Sequence, residues 1–526
     1  MRHGRSLVCG IVREVCLVGK MNRYLLGIDI GSGGCKTSVL DADSGRSSII
    51  AAEYPTRYPN PGWAEQDPED WIRKVSETVR TALKKEKIKP DTIHAVGIGG
   101  VTHSPVLLDR EGTVLRESIH LTDTRSHKQA ERLRDAAGSL ILKRCMNAVT
   151  VMWTAAMLLW LKENEPCIWN RISKVIFPKD YVRFRLTGDL ATDRIDAQGT
   201  LLFNALENRW DEQLLSLVGI EKEQLPEIMD PTEVAGRVSE EGERWSGLKA
   251  GTPVVAGTTD TLLELIASGV QRPGDCTVKL ATFGRICVLS DKPYFDEKLI
   301  TYDYINPGMW YPGTGTKSFA SSLRWFRDHF CRDLGPTAEA FRAMEKEASA
   351  VSPGSGGLIY HPYLQGEGSP YNDPHLRGDF IGLSLHHVRG HLIRAVMEGT
   401  AFSLLDSINF IREKGIRIRE PVRYIGGGTR GTLWPSIVAD VLGLDGIRPG
   451  ATDPSIGAAL IAGVGTDVFS SVEEAQEAIR DDTVTIEHNE KMSGLYKRLF
   501  VQYKRAVSML TEVYHELSGF SVSLGE

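Results

Sequence analysis

The sequence predicts an α/β protein of two domains with its active site in the cleft between them, and three observations carry that prediction. The chain has 526 residues, more than one hydrophobic core usually supports. An apolar strand, a small polar or glycine-rich turn and a second apolar strand occur at residues 24 to 40 and again from Cys276 to Ser290, so a similar hairpin heads each half. After each hairpin, apolar runs of strand length alternate with stretches of helical periodicity.

The elements follow in order. Residues 1–20 are basic, but Arg13 and Glu14 break their apolar stretch, so no signal-peptide core forms. With Met21 just before the first strong strand, they read as a disordered or mis-started extension. YLLGIDIGSGGCKTSVLDADSG gives a strand, a turn at Gly31 to Gly34, a second strand over Cys35 to Leu40 and a closing turn at Asp43 to Gly45. In DPEDWIRKVSETVRTALKKEK, Asp67 is the expected N-cap and Pro68 the first helical residue. HAVGIGG is a short buried strand, and FPKDYVRFRLTG a strand end leading into a helix. The apolar run Val254 to Ala256 leads through Gly257-Thr258-Thr259 into a helix marked by Leu262, Leu263 and Ile266. Helices follow at about 318–330, 336–348 and 390–414, then the strand RYIGGG and the helices TLWPSIVADVLG and SIGAALIAGVG. The expected division is 21–265, 266–470 and a C-terminal helical segment, 471–526, packing back on the first domain.

Composition narrows the chemistry. A formal net charge of -6 leaves no basic footprint for nucleic acid, and no apolar run is long enough to span a membrane. The eight cysteines are scattered without CxxC or metal-ligand spacing, as free thiols of a cytoplasmic protein would be. Small-molecule chemistry is what remains.

Three turns could hold a polyphosphate: Gly31 to Gly34, Ala281 to Gly284, and Gly426 to Gly428. Glycines let backbone N–H groups converge on an anion without Cβ obstruction, although each turn alone is also ordinary turn chemistry. None matches a P-loop or a dinucleotide fingerprint. Asp29 breaks an apolar strand just before the first turn, and a buried carboxylate there needs a cation or a donor. Mg²⁺ accompanying a nucleotide phosphate would meet that need, and Lys36 could add positive charge. Asp260 stands where a buried strand turns into a helix, the place where open α/β sheets meet their ligands. Taken singly it is either an N-cap or a base that accepts a proton from a substrate hydroxyl. His103, taken singly, reads as a satisfied strand-end histidine.

GIDIGSGGCK, PGWAEQDPEDW, GIGGVTHS, FPKDYVRFRLTGDLATDRIDAQGT, VAGTTD, RAVMEG, YIGGGTRGTLWPSIVADVLG and SIGAALIAG, in this order from Tyr24 to Gly465, resemble the FGGY carbohydrate kinases, most closely the xylulokinase-like branch. The resemblance implies two actin-like (ribonuclease-H-like) domains with ATP and sugar between them, and transfer of the γ-phosphate to a hydroxyl of a ketose, first a pentulose such as D-xylulose. It implies Asp260 as general base, Asp29 near Mg²⁺, and Gly31, Ser32, Gly33, Lys36, Thr282, Gly427 and Gly428 against the nucleotide. Thr102, His103 and Thr261 fall on the sugar side. Expected partners are a sugar and ATP, in a protein that could form a homodimer. Ribulose, erythrulose, glycerol-like and autoinducer-2-like acceptors, or a sugar sensor of low turnover, remain as alternatives. The chain departs from the family pattern at Val101-Thr102-His103-Ser104, where Gln-Met-His-Gly is usual, and at Thr261, where Asn is common. It departs again at Ala281-Thr282-Phe283-Gly284, where Gly-Thr-Ser-Gly is common.

Overall fold

The computed structural model describes residues 23–479 and 482–523; the expectation for residues 1–20 lies outside them. The first sheet contains β1 (Tyr24–Ile30), β2 (Gly34–Asp41), β3 (Ser47–Glu53), β4 (Ile93–Gly100), β5 (Val234–Arg237), β6 (Pro253–Val255) and β7 (Thr258–Thr259). The second contains β8 (Cys276–Leu280), β9 (Gly284–Val288), β10 (Ile300–Asp303), β11 (Trp310–Thr316), β12 (Val422–Ile425), β13 (Gly446–Arg448) and β14 (Val484–Ile486). Their orders are β5-β6-β4-β1-β2-β3, with β7 beside β4, and β10-β11-β9-β8-β12-β13-β14.

The duplication read from two hairpins extends through the whole pairing pattern. In the first sheet β3, β2 and β1 pair antiparallel, and β4 and β6 continue parallel. In the second, β11, β9 and β8 pair antiparallel, and β12 and β13 continue parallel. Two copies of one mixed five-strand core make the two-domain, actin-like fold.

Ten helices position the site: α1 (Pro68–Glu86), α2 (Pro178–Thr187), α3 (Asp260–Ala267), α4 (Ala320–Phe330), α5 (Ala338–Ser349), α6 (Arg389–Glu413), α7 (Leu433–Leu442), α8 (Pro454–Gly465), α9 (Val472–Glu477) and α10 (Glu490–Ser523). The period of two along β1 gives each face of the first sheet its own partner. Leu26, Ile28 and Ile30 pack with Trp71, Val75 and Val79 of α1 and with Tyr181 and Val182 of α2. Leu25 joins the other core, with Leu262 and Ile266 of α3 and Ile456 and Leu460 of α8. Asp67 caps α1 as expected, accepting a hydrogen bond from the Glu69 N–H.

Two of the C-terminal helices, α8 and α10, depart from the expected division. α8 packs on β1, β4 and α3 of the first half, and α9 lies beside α8 and α3. α10, expected on the first domain, packs instead on α7 and on the strand Ile359–His361 of the second. The correction has a physical cause: Tyr496, Tyr503, Val507 and Tyr514 form an apolar stripe on α10 that completes the second core. α8 can approach the first sheet closely because Gly27 and Gly97 leave room for it; a Cβ at Gly27 would stand 1.8 Å from the Ser455 carbonyl oxygen, and one at Gly97 1.9 Å from that of Ala458. Among the described residues, no helix is long and apolar enough to cross a membrane.

Candidate active site

Strand register brings Asp29 and Asp260 to one edge of the first sheet. Ile30 of β1 pairs with Gly100 of β4, and Gly100 pairs with Thr259 of β7. Asp29 precedes the first member of this row and Asp260 follows the last, so two strand spacings, about 10 Å, separate their backbones. Thr259 is the N-cap of α3, its hydroxyl accepting from the Leu262 N–H. The capping role considered for Asp260 thus falls to its neighbour, and Asp260 enters the first turn of α3 with one side-chain hydrogen bond, accepted from the Thr261 hydroxyl at 3.2 Å.

Asp29 is buried, and its Oδ1 has no hydrogen-bond partner. Burial above all, then the charges of Asp260 and Asp453, push its carboxyl well above the usual range, while Lys36 and Lys279 pull the other way. A carboxylate in that position fits a bound cation, which would satisfy the orphaned oxygen and relieve the repulsion.

Both hairpin turns hold their carbonyls and leave N–H groups free. In the first, Gly31, Ser32 and Gly33 accept from the Tyr54 hydroxyl, Gln66 Nε2 (2.7 Å) and the Tyr54 N–H (3.3 Å). In the second, Ala281 accepts from the Ala320 N–H at 2.9 Å, and Thr282 from that of Phe319 at 3.1 Å. Among the described residues the N–H groups of Ser32, Gly33, Thr282 and Phe283 have no protein acceptor, which leaves two sets of donors for an anion. The Ala281 and Phe283 departures leave this backbone arrangement intact, because Phe283 turns its ring outward and is 50% exposed.

The third turn is held by contacts that only glycine permits. Gly426 has φ +90° and ψ 172°, a region open almost exclusively to glycine. A Cβ at Gly426 or Gly428 would meet Leu280 at 2.8 or 2.9 Å, whereas one at Gly427 would meet nothing within 4 Å. Gly427 and Gly428 line a cavity of about 940 Å³ with Thr282, Phe341, Met397 and Trp434. A second cavity, about 570 Å³, runs from Gly427 and Arg430 to Lys36 and Asp453. The shared residues make one path from an apolar slot in the second domain to the first-domain hairpin. Lys36 lies on that path, but Asp453 Oδ2 holds its Nζ at 2.7 Å.

His103 Nδ1 lies 2.8 Å from the Gly199 carbonyl oxygen, and its ring meets Trp153 edge-on at 4.5 Å. Burial chiefly, with the Arg285 charge adding, lowers its pKa to about 4, so the ring is neutral at pH 7. Thr102 lies near Tyr302, whose hydroxyl is buried without a hydrogen-bond partner. Trp63, Glu65 and Arg125 form a network: Arg125 pairs with Glu65 at 2.7 Å and with Asp123 at 2.7 Å, and its guanidinium lies 3.7 Å over the Trp63 ring. Gln66 braces the first turn. Asp193 caps residues 194–198, and Asp196 lies 3.4 Å from Lys179. Arg394 and Glu398 form a buried i,i+4 pair at 2.8 Å, joined by Tyr496.

Sequence reading missed Lys279, Arg285 and Asp453. Lys279 pairs with Glu264 of α3 at 2.7 Å, and Arg285 Nη1 donates to the Thr261 hydroxyl at 2.9 Å, so both reach from the second sheet to the first domain. For Lys279 and Arg285 the available signal was a charge interrupting an apolar strand, the same signal that marked Asp29; for Asp453 it was the Asp-Pro pair that opens α8, which it caps.

Residues 24–267 match the N-terminal domain, and residues 284–466 the C-terminal domain, of the FGGY family of carbohydrate kinases. A xylulose kinase of Bacillus subtilis is 30% identical over 501 residues, covering 95% of this chain and 99% of that protein. A gluconokinase of the same organism is 28% identical over 470 residues, covering 87% and 91%. The crystal structure of xylulose kinase from Rhodospirillum rubrum superposes with a TM-score of 0.85 at 27% identity, over 94% of this chain and 100% of that one.

Proposed function

We propose, from the premise that this chain belongs to the FGGY family of carbohydrate kinases and is an ATP-dependent sugar kinase, that it phosphorylates a ketose hydroxyl with Asp260 as general base. The first acceptor to test is D-xylulose, after the names of the relatives. The observation that supports this reading is the position of Asp260, released from capping by Thr259 and in register with Asp29 at the strand ends beside the first hairpin.

In this reading residues 21–265 hold the sugar and 266–470 the nucleotide. The base of ATP lies in the slot lined by Phe341, Met397 and Trp434, with Gly427 and Gly428 against the ribose and α-phosphate. The free N–H groups of the two hairpins receive the β- and γ-phosphates. Lys36 adds charge there, shared with Asp453. Asp29 is the residue that would hold Mg²⁺, whose contribution when bound is to neutralise charge on the phosphates. Thr102, His103 and Thr261 orient the acceptor so that one hydroxyl faces Asp260. As that oxygen bonds to the γ-phosphorus and the bond to the β-phosphate oxygen breaks, its proton passes to the Asp260 carboxylate and ADP leaves.

An Asp260→Asn variant tests the assignment. Coupled ADP release with D-xylulose is expected to fall by about 10²-fold or more, while nucleotide binding and the thermal midpoint stay near wild type. Undiminished turnover would remove Asp260 from its role.

A further inference from the structure

α5 turns two residues one turn apart to the larger cavity, Phe341 and Glu345, the spacing that puts side chains on one face of a helix. Phe341 belongs to the apolar slot. Glu345 reaches across to the start of α7, where its Oε1 accepts from the Thr432 N–H at 2.7 Å and from the Leu433 N–H at 2.5 Å. Thr432, the N-cap of α7, makes no side-chain capping bond, so a carboxylate from another helix satisfies these donors instead. The carboxylate lies over Gly431, where a Cβ would stand 2.6 Å from Oε2 and 2.9 Å from Oε1. Gly431 has φ -78° and ψ -179°, ordinary extended backbone, so the absence of a side chain there makes room for Glu345.

Oε1 is thereby engaged and Oε2 is not. Among the described residues Oε2 has no hydrogen-bond donor, no lysine, arginine or histidine pairs with Glu345, and Oε2 is not among the atoms sealed away without a partner. It therefore keeps accessible space beside the cavity that Glu345 lines. Arg324, Arg327, Arg342 and Arg430 line the same cavity, and Glu345 is the one carboxylate among its described lining residues. This composition sorts the parts of a nucleotide. Phosphates are drawn to the cations and the glycine N–H groups and are repelled by the carboxylate. A carboxylate only accepts hydrogen bonds, so it suits a part of ATP that donates: a ribose hydroxyl or the exocyclic amine of the base. The ribose is the part assigned to Gly427 and Gly428, in the same turn-to-helix segment whose end Glu345 holds.

We propose that Glu345 is a specificity-determining residue for the nucleotide: Oε1 fixes the start of α7, Oε2 accepts a hydrogen bond from a ribose hydroxyl, and the kinase thereby discriminates ribonucleotides from deoxyribonucleotides. A hydrogen bond to an ionised acceptor is roughly twice as strong as one between neutral groups, and acidic side chains hold ribose hydroxyls in other nucleotide sites. Two backbone donors already hold Oε1, so the carboxylate is preorganised and loses little rotamer freedom when the ribose arrives. The proposal rests on the reading of the larger cavity as the nucleotide slot.

Calorimetric titration of ADP, 2′-deoxy-ADP and 3′-deoxy-ADP into the full-length protein, with no acceptor present, reads the nucleotide without turnover. In wild type the Kd is expected to rise by about 10-fold or more for at least one deoxy analogue. Glu345→Ala should weaken ADP by a similar factor and bring that analogue level with it. Glu345→Gln, which keeps the cap through its amide oxygen, should hold the thermal midpoint near wild type with a ratio between the two; it carries the comparison alone if Glu345→Ala does not fold. Equal affinities for the three nucleotides in wild type overturn the proposal, as does a variant that weakens all three alike and leaves their ratio unchanged, the result of a purely structural role. IDP, which lacks the exocyclic amine, is the control for the base: a preference for ADP over IDP that disappears in Glu345→Ala while the deoxy ratios persist also overturns it. Gly427→Ala reports on the slot itself. If Gly427→Ala weakens every nucleotide while Glu345→Ala leaves the ratios unchanged, the proposal fails and the slot stands; if neither variant changes nucleotide affinity, the slot reading fails and the proposal with it.

Discussion

Alanine substitutions through Gly426, Gly427 and Gly428 should give three different outcomes, because the three residues are glycine for different reasons. At Gly426 the backbone holds φ +90° and ψ 172°, which costs a residue with a Cβ about 1–3 kcal/mol. The new carbon would also stand 2.8 Å from the Leu280 carbonyl oxygen, a backbone atom that cannot rotate away, and overpacking of this kind adds about 1–3 kcal/mol. The sum, about 2–6 kcal/mol, is comparable with the whole stability of many domains. At Gly428 only the overpacking remains, with Leu280 Cβ and O both at 2.9 Å. At Gly427 a Cβ meets nothing within 4 Å, yet the residue lines both cavities. Gly427→Ala should therefore leave stability within about 0.5 kcal/mol and raise the KM for ATP by roughly tenfold, while the KM for the acceptor barely moves. Denaturant melts rank the stabilities, and paired titrations of ATP and acceptor separate the two KM effects. An ATP KM unchanged by Gly427→Ala, or a Gly426→Ala protein as stable as wild type, would refute the reasoning.

Gly97→Ala places a methyl 1.9 Å from the Ala458 carbonyl oxygen, so it should cost about 3 kcal/mol or more by forcing α8 off β4, read as a lowered urea midpoint. Glu367 is buried, and burial chiefly raises its pKa to about 7 against the donors of Lys317, Gly368 and Ser403. A raised acid favours the folded state while protonated, so its contribution is complete below about pH 4.5 and is lost as pH rises through 7. Glu367→Gln, whose amide can keep these partners, should flatten that part of the stability profile by about 3 kcal/mol; a profile unchanged between pH 4.5 and 8 would count against it.

The local elements were legible because their signals are local. The glycine turn at Gly31 to Gly34, the Asp67 cap and the helix start at Asp260 each depend on residues within a few positions. The family resemblance made a two-domain kinase fold readable from short strings in order. What could not be read was partnership across long separations. The run SIGAALIAG is apolar on every face, so periodicity does not say that its target is β1 and β4 rather than the nearer β12. α10 shows an amphipathic stripe, yet nothing in the stripe names α7 as the surface it covers. Lys279 and Arg285 are solitary charges in apolar strands, and their meaning depends on α3 lying opposite the second sheet. Trp153 and Tyr302 carry no motif; only the burial of their polar atoms without hydrogen-bond partners marks them.

α8 belongs by sequence to the later half of the chain and by packing to the earlier one. The polypeptide therefore crosses between the halves three times, from α3 into β8, on the way to α8, and again between α9 and β14. Several separate crossings tie the halves together more tightly than a single linker would, and so limit the ways in which they can move apart. A fragment ending after α3 would also expose the strip of β1 and β4 that α8 normally covers, so an isolated first half should be prone to self-association. Opening and shutting of the cleft and the integrity of the first sheet thus depend on the same twelve-residue helix.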